Sequence, residues 1–93
     1  MIIGACSVEL HLPYARSLKE KRMAIKGLKD SLKRRHNVSV AEVDYQDLWQ
    51  RSQIAFVAVA TDRDGCHKII SRALNDVESR FPEEILSVET EYF

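Results

Sequence analysis

Residues Ile54 to Thr61 constrain the fold more than any other stretch. Ile54, Ala55, Phe56, Val57, Ala58, Val59 and Ala60 follow one another without a polar side chain. The run is short and contains β-branched and aromatic residues, which favours a strand over a helix segment. A strand apolar on both faces belongs in the middle of a sheet, with something covering or partnering its second face. The rest of the chain must supply that sheet and its cover.

The flanking segments do so. Ile2 to Leu12 alternates, with Cys6, Val8, Leu10 and Leu12 against Ser7, Glu9 and His11. That is the pattern of a half-buried strand. Gly4 within it reads either as a close backbone approach or as a small core residue. Pro13, Tyr14 and Ala15 end the strand. Val38 to Val43 is a second strand, whose broken parity predicts a bulge or a strand end near Ala41. Asp44 to Arg51 is a polar connection. After the apolar strand, Thr61 or Asp62 caps a second helix with Cys66, Ile70, Ala73 and Val77 as its apolar stripe. Lys68, Arg72, Asn75, Asp76 and Glu78 form its polar side, and Pro82 ends it. Leu86 to Phe93 is the last strand, with Leu86, Val88, Thr90 and Tyr92 on one face.

The order strand, helix, strand, strand, helix, strand predicts an α+β chain. It is a ferredoxin-like βαββαβ sandwich with a four-stranded antiparallel sheet and two helices on one face. The first and third strands lie in the middle. The second sheet face is left uncovered, lined by Ile3, Ala5, alternate residues of Ile54 to Thr61, and Phe93. An exposed apolar patch predicts a partner, and a second copy forming a homodimer is the simplest one.

Arg16 to Arg35 reads as the long first helix, about 28 Å if 19 residues are helical. Ser17 and Glu20 have capping-box spacing. Leu18, Ile25, Leu28 and Leu32 share one side. On another, Lys19, Arg22, Lys26, Lys29 and Lys33 follow at spacings of three and four and form a longitudinal stripe. Like charges at these spacings repel, so the stripe is either a solvated face or an anion-binding surface. Lys21 falls close to the middle of the apolar side, where its stem is partly covered; a local carboxylate is one candidate to hold its head, and no sequence rule selects it.

The chain has 93 residues, enough for one domain over 1–93, and a formal net charge of zero. Residues 16–35 carry nine Lys/Arg and two Asp/Glu, whereas the remainder carries five and twelve. The sequence is a charge dipole, suited to a polyanion or to head-to-tail contacts between copies. No apolar run is long enough to span a membrane, and the first residues lack a secretory pattern. Two cysteines, Cys6 and Cys66, do not make a disulfide framework. A cytoplasmic protein is expected.

No chemistry-bearing constellation stands out. His11, His36 and His67 are scattered, and Cys66-His67 lack metal-ligand spacing, so no metal or cofactor is expected. Both cysteines read as small buried hydrophobes. There is no phosphate loop and no nucleophile elbow. Asp44 and Asp47 could face each other across a turn, with Arg51 nearby. That gives a small-ligand or catalytic alternative, although Asp is an ordinary turn residue. An enzyme is not expected.

The stretch Asp44-Tyr45-Gln46-Asp47-Leu48-Trp49-Gln50-Arg51 is the most distinctive. Leu48 and Trp49 either tuck under the sheet edge or belong to a recognition loop. Trp and Arg are favoured at interfaces, and Tyr or Trp can stack on unpaired bases. An aromatic RNA-binding sheet is disfavoured, because Phe56 is the one ring available near the centre of the open face. Nucleic acid would instead meet the first helix and nearby loops, mostly through phosphates.

Ser17-Leu18-Lys19-Glu20-Lys21-Arg22, then Asn37-Val38-Ser39-Val40-Ala41-Glu42-Val43, then Asp47-Leu48-Trp49-Gln50-Arg51 resemble the DUF503 family, also called YlxP-like, along essentially the whole chain. These are small bacterial proteins of unassigned function, with a ferredoxin-like fold. Their genes often lie beside those of a transcription elongation factor, a translation initiation factor and a ribosome-binding factor. The resemblance implies a role near RNA or the ribosome and supplies no active site. Its motif positions are Ser17, Leu18, Lys21 and Arg22 in the helix and Asp47, Trp49, Gln50 and Arg51 in the loop. The expected function is RNA or ribosome binding through Lys19, Arg22, Lys26, Lys29 and Lys33, with Asp47, Trp49, Gln50 and Arg51 as a recognition loop. The alternatives are an adaptor that docks an acidic protein and pairs through its open sheet face, or a ligand domain at Asp44 to Arg51.

Overall fold

A computed structural model describes residues 1–93. Its elements are β1 (Ile2–His11), α1 (Leu18–Arg35), β2 (Ser39–Asp44), β3 (Arg51–Ala60), α2 (Arg63–Arg80) and β4 (Ile85–Tyr92). The strands lie in the order β2-β3-β1-β4, each antiparallel to its neighbour. Helix α2 packs over β1 and β3, and α1 lies beside it toward β2. This is the ferredoxin-like arrangement with both helices on one face.

Period-two alternation sends Cys6, Val8 and Leu10 of β1, and Ile54, Phe56 and Ala58 of β3, toward the helices. Ile25, Leu28 and Leu32 of α1 and Cys66, Ile70, Ala73 and Val77 of α2 meet them, all buried. At Gly4, α2 approaches β1 closely. A Cβ there would sit 2.7 Å from Cys66 Sγ and 3.0 Å from Ile70 Cγ1. Both helices start as their sequences ask. The Ser17 hydroxyl accepts from the Glu20 amide at 3.1 Å, and the Glu20 carboxylate accepts from the Arg16 amide at 2.8 Å. Asp62, rather than Thr61, caps α2 by accepting from the Gly65 amide.

Several details differ from the sequence expectation. Strand β3 starts at Arg51, three residues before the apolar run, because Arg51, Ser52 and Gln53 pair with His11, Leu10 and Glu9. Phe56 faces the helices and is fully buried, so the centre of the open face carries no ring. The bulge in β2 falls at Val43, not near Ala41. Strand β4 starts at Ile85, and Leu86 is the extra residue at a second register shift, which removes it from the face shared by Val88, Thr90 and Tyr92. Asp76 is buried between the helices instead of lying on a polar side.

Two polar groups inside the fold decide how the site is held. Lys21 is fully buried. Its ammonium forms an ion pair with Glu42 Oε2 at 2.7 Å and donates to the Tyr45 carbonyl at 2.6 Å and to the Gln46 carbonyl at 3.4 Å. One carboxylate and two carbonyls thus surround the buried charge. Glu42 also accepts from the Ser52 hydroxyl. At the other end of the helix pair, the Asp76 carboxylate accepts from Ser31 at 2.9 Å and lies 3.2 Å from His36 Nε2. Arg80 and Arg35 approach to 3.3 and 3.8 Å.

Replacing Lys21 by Met strands Glu42 and frees the two loop carbonyls. Chemical denaturation should register a loss of about 3 kcal/mol. Adding Glu42→Leu should recover a large part of it, and full additivity of the two losses would contradict the pairing. For Asp76, burial pushes the carboxyl up, but the bonds from Ser31 and His36 and the charges of Arg35 and Arg80 outweigh it, so its pKa is lowered. The folded state therefore prefers the carboxylate. Its contribution is present above the ordinary carboxyl value of about 4 and is lost as pH falls through the lower folded value. Asp76→Asn should flatten the acid limb of a stability–pH curve in that window, and an unchanged limb would exclude Asp76 as its source.

Candidate nucleic-acid interface

The positions on α1 follow from its pitch. Ser31 and Arg35 point to α2, where they meet Asp76. At 100° per residue, Lys19, Arg22, Lys26, Lys29 and Lys33 fall on the opposite flank, the one above the β2 edge. Lys19, Arg22, Lys26 and Lys33 are exposed and Lys29 is half-buried. Lys26 pairs with Asp30 at 2.7 Å in full solvent, a contact of little weight for stability. That bond is the main cause holding the Asp30 carboxyl below the usual range. Lys19, Arg22, Lys29 and Lys33 have no carboxylate partner. Lys33 opens onto a cleft of about 630 Å³ that wraps the sheet edge, with Asn37, Ser39, Val57 and Val59 among its walls.

The opposite edge of the sheet is acidic. Residues 81–93 contain Glu83, Glu84, Glu89 and Glu91 and no Lys or Arg, and β4 lies across the sheet from β2. The charge dipole of the sequence is therefore also one in space. A polyanion meets an attractive flank on one side and a repulsive edge on the other.

The loop between β2 and β3 is fixed to the start of α1. Lys21 holds the carbonyls of Tyr45 and Gln46, and Gln50 Nε2 donates to the carbonyls of Pro13 and Ala15, each at 3.3 Å. Tyr45 has φ 60°, a left-handed conformation that costs a non-glycine residue about 1 kcal/mol or more. Three contacts hold it there. Its amide donates to Asp44 Oδ1, its carbonyl takes Lys21, and the Arg51 guanidinium lies 4.3 Å over its ring.

The recognition-loop residues therefore divide. Gln50 and Arg51 are committed within the molecule, Arg51 also pairing with Glu9 at 2.8 Å on the open sheet face. That bond raises the Arg51 pKa further above its ordinary value. Asp47 and Trp49 remain free at the surface, and Trp49 and Leu48 are each 47% exposed, not tucked under the sheet. Tyr14, on the segment that Gln50 ties down, is 53% exposed. Burial of its hydroxyl and the nearby Glu84 carboxylate raise its pKa. The sequence did not single out Tyr14, since a ring between a strand and a helix start is usually a packing residue.

Asp44 and Arg51 lie near each other on the open face, where the Asp44 carboxylate helps Glu9 to raise the Arg51 pKa. Asp47 lies out on the loop, and none of the surface clefts is lined by Asp44, Asp47 or Arg51. No group of His, Cys, Asp and Glu is placed to hold a metal ion. Cys6 and Cys66 are free and buried, and burial pushes the Cys6 thiol up. A chain of hydrogen bonds that sequence reasoning missed runs on α2 and β4. His67 Nδ1 lies 2.9 Å from the Tyr92 hydroxyl, and His67 Nε2 lies 3.2 Å from the Ser71 hydroxyl. No carboxylate joins it, and it serves to tie the end of β4 to α2. No helix is long and apolar enough to cross a membrane.

Comparisons with known proteins agree on the fold and the family. A mutant form of SnoaB, a cofactor-independent oxygenase from Streptomyces nogalater, superposes with a TM-score of 0.57 at 12% identity, over 98% of this chain and 90% of that one. A de novo designed protein, Foldit4, gives 0.56 at 13% identity, over 99% and 94%. Protein Atu4242 from Agrobacterium tumefaciens gives 0.54 at 9% identity, over 100% and 91%. At such identities the likeness extends to the fold alone. The uncharacterized protein YlxP of Bacillus subtilis (strain 168) is 38% identical over 93 residues, which is 99% of this chain and the whole of that protein. Residues 3–90 match the family described as a protein of unknown function, DUF503. The chain belongs to the DUF503 family, as the helix and loop motifs led one to expect.

Proposed function

We propose that this chain is a cytoplasmic, non-enzymatic protein that binds RNA or the ribosome through the flank of α1. The observation that carries the reading is the row of Lys19, Arg22, Lys29 and Lys33, which has no carboxylate partner although the chain as a whole is neutral. Lys26 completes the row. Helical rise sets successive cations about 5 Å apart along some 21 Å, a spacing suited to following a phosphate backbone. Two free, buried cysteines accord with a reducing compartment.

Replacing Lys26, Lys29 and Lys33 together by Gln should weaken binding of a structured ribosomal RNA fragment roughly tenfold or more and lower its salt slope by about 2. Fluorescence anisotropy at several salt concentrations reads both. Lys68→Gln with Arg72→Gln on α2 should change neither. Equal affinity and slope in the α1 variant would remove this site.

A second reading, self-association through the open sheet face, has its own support. Register places Val59, Ile3 and Phe93 in one row across that face and Ser39, Val57, Ala5 and Glu91 in the next. A hollow of about 200 Å³ beside them is floored by Ala5, Ser7 and Ala55, with Glu89 and Glu91 in its wall. Val59 and Phe93 are 57% and 67% exposed. Large apolar side chains beside a hollow of small ones suit a second copy. Sedimentation velocity should find a concentration-dependent dimer that Val57→Glu abolishes with the fold intact. A monomer at 100 micromolar or so, well above typical working concentrations for such assemblies, would exclude it.

A further inference from the structure

We infer that Trp49 and Tyr14 form a stacking platform for an unpaired base of single-stranded RNA, with the α1 row carrying the backbone away from it. The inference rests on the RNA reading above and names the kind of RNA that the same surface takes.

The argument begins with place. Gln50 joins the loop to the carbonyls of Pro13 and Ala15, the residues on either side of Tyr14. Trp49 precedes Gln50 in the chain. Two half-exposed rings thus flank one pair of hydrogen bonds, at the end of the molecule where α1 begins. Lys19 and Arg22, the first cations of the row, stand in the first two turns of that helix. Lys21, between those cations in the chain, ties the loop that carries Trp49 to the same first turns of α1.

Rigidity comes next. A stacking ring contributes more when its backbone is already fixed, because less freedom is lost on binding. Lys21, Gln50 and the Asp44–Tyr45 contact hold the loop at three points. The β2–β3 connection would otherwise be the most mobile part of such a fold.

Charge then sets the orientation. Asp47 lies on the same loop, and the Glu84 carboxylate stands near the Tyr14 hydroxyl. These acids repel phosphate at the aromatic end, while the α1 row attracts it further along. They also offer acceptors to the exocyclic amino groups of bases. A strand with a base at the platform and phosphates along the helix satisfies both. A duplex does not, because its bases are stacked on one another and have no free face to offer.

Trp49 is the only tryptophan, so its emission reports the platform directly. The test titrates the intact protein with an eight-nucleotide single-stranded RNA of mixed sequence and with a blunt RNA duplex of the same length, each end-labelled for anisotropy. The single strand should quench Trp49 emission and shield it from acrylamide, and the duplex should leave both nearly unchanged. Trp49→Ala should weaken single-strand binding roughly tenfold while leaving its salt slope as it was. Trp49→Tyr should restore most of the affinity. If the single strand binds by anisotropy and Trp49 stays equally bright and equally accessible, the platform is refuted and the RNA reading stands. Equal quenching by the duplex refutes the single-strand assignment. If neither RNA binds, the RNA reading falls and takes the platform with it.

Discussion

The buried ammonium of Lys21 is the contact on which the rest of this structure turns. A charged head inside a protein is costly unless it is paired and fully hydrogen-bonded. Here Glu42 and two loop carbonyls supply the partners, and no buried side-chain polar atom is left without one. One residue thereby joins three parts of the chain: α1, the inner face of β2 and the start of the β2–β3 loop. Glu42 has to face inward to meet it, and the bulge at Val43 then returns Asp44 to the outer face. The left-handed Tyr45 follows directly. A helix position that the apolar pattern assigns to the core thus governs the path of a surface loop.

The second organising constraint is the division of charge across the sheet. Zero net charge would describe an electrostatically bland molecule if the signs were mixed. Instead, right-handed crossovers put α1 next to β2 and leave the acidic C-terminal strand at the far edge. The fold topology converts a difference between chain segments into a field across the protein. Arg35 and Arg80 meet Asp76 between the helices, whereas Lys19, Arg22, Lys29 and Lys33 on the α1 flank have no carboxylate partner.

Much of this is legible in the sequence. The apolar run at Ile54 to Ala60, the capping pairs and the alternation in β1 are enough for the element order and for the uncovered face. The two helix stripes fall where their spacing puts them, because burial follows local periodicity. What local patterns cannot supply are the pairings of polar groups distant along the chain. Lys21 needs a carboxylate, but no local rule selects Glu42. Asp76 resembles its polar neighbours on α2 until the other helix is placed beside it. Arg51 and Gln50 look free because their partners, Glu9 and the carbonyls of Pro13 and Ala15, lie some 35 to 42 residues away. Trp49 can be weighed either way, since exposure of a loop ring depends on that loop's path.

The bulge at Val43 has a consequence for how such molecules meet one another. An outer strand offers unpaired amides and carbonyls to any other extended chain, and proteins blunt that invitation with irregularities and with charges turned inward. Strand β2 carries both, the extra residue at Val43 and the inward Glu42. Strand β4 has its own extra residue at Leu86 and two glutamates along it. Neither margin of the sheet is a regular template for another strand. Growth by strand addition into continuous fibrils is thus discouraged at both ends of the sheet, and any assembly that forms must be made through side chains.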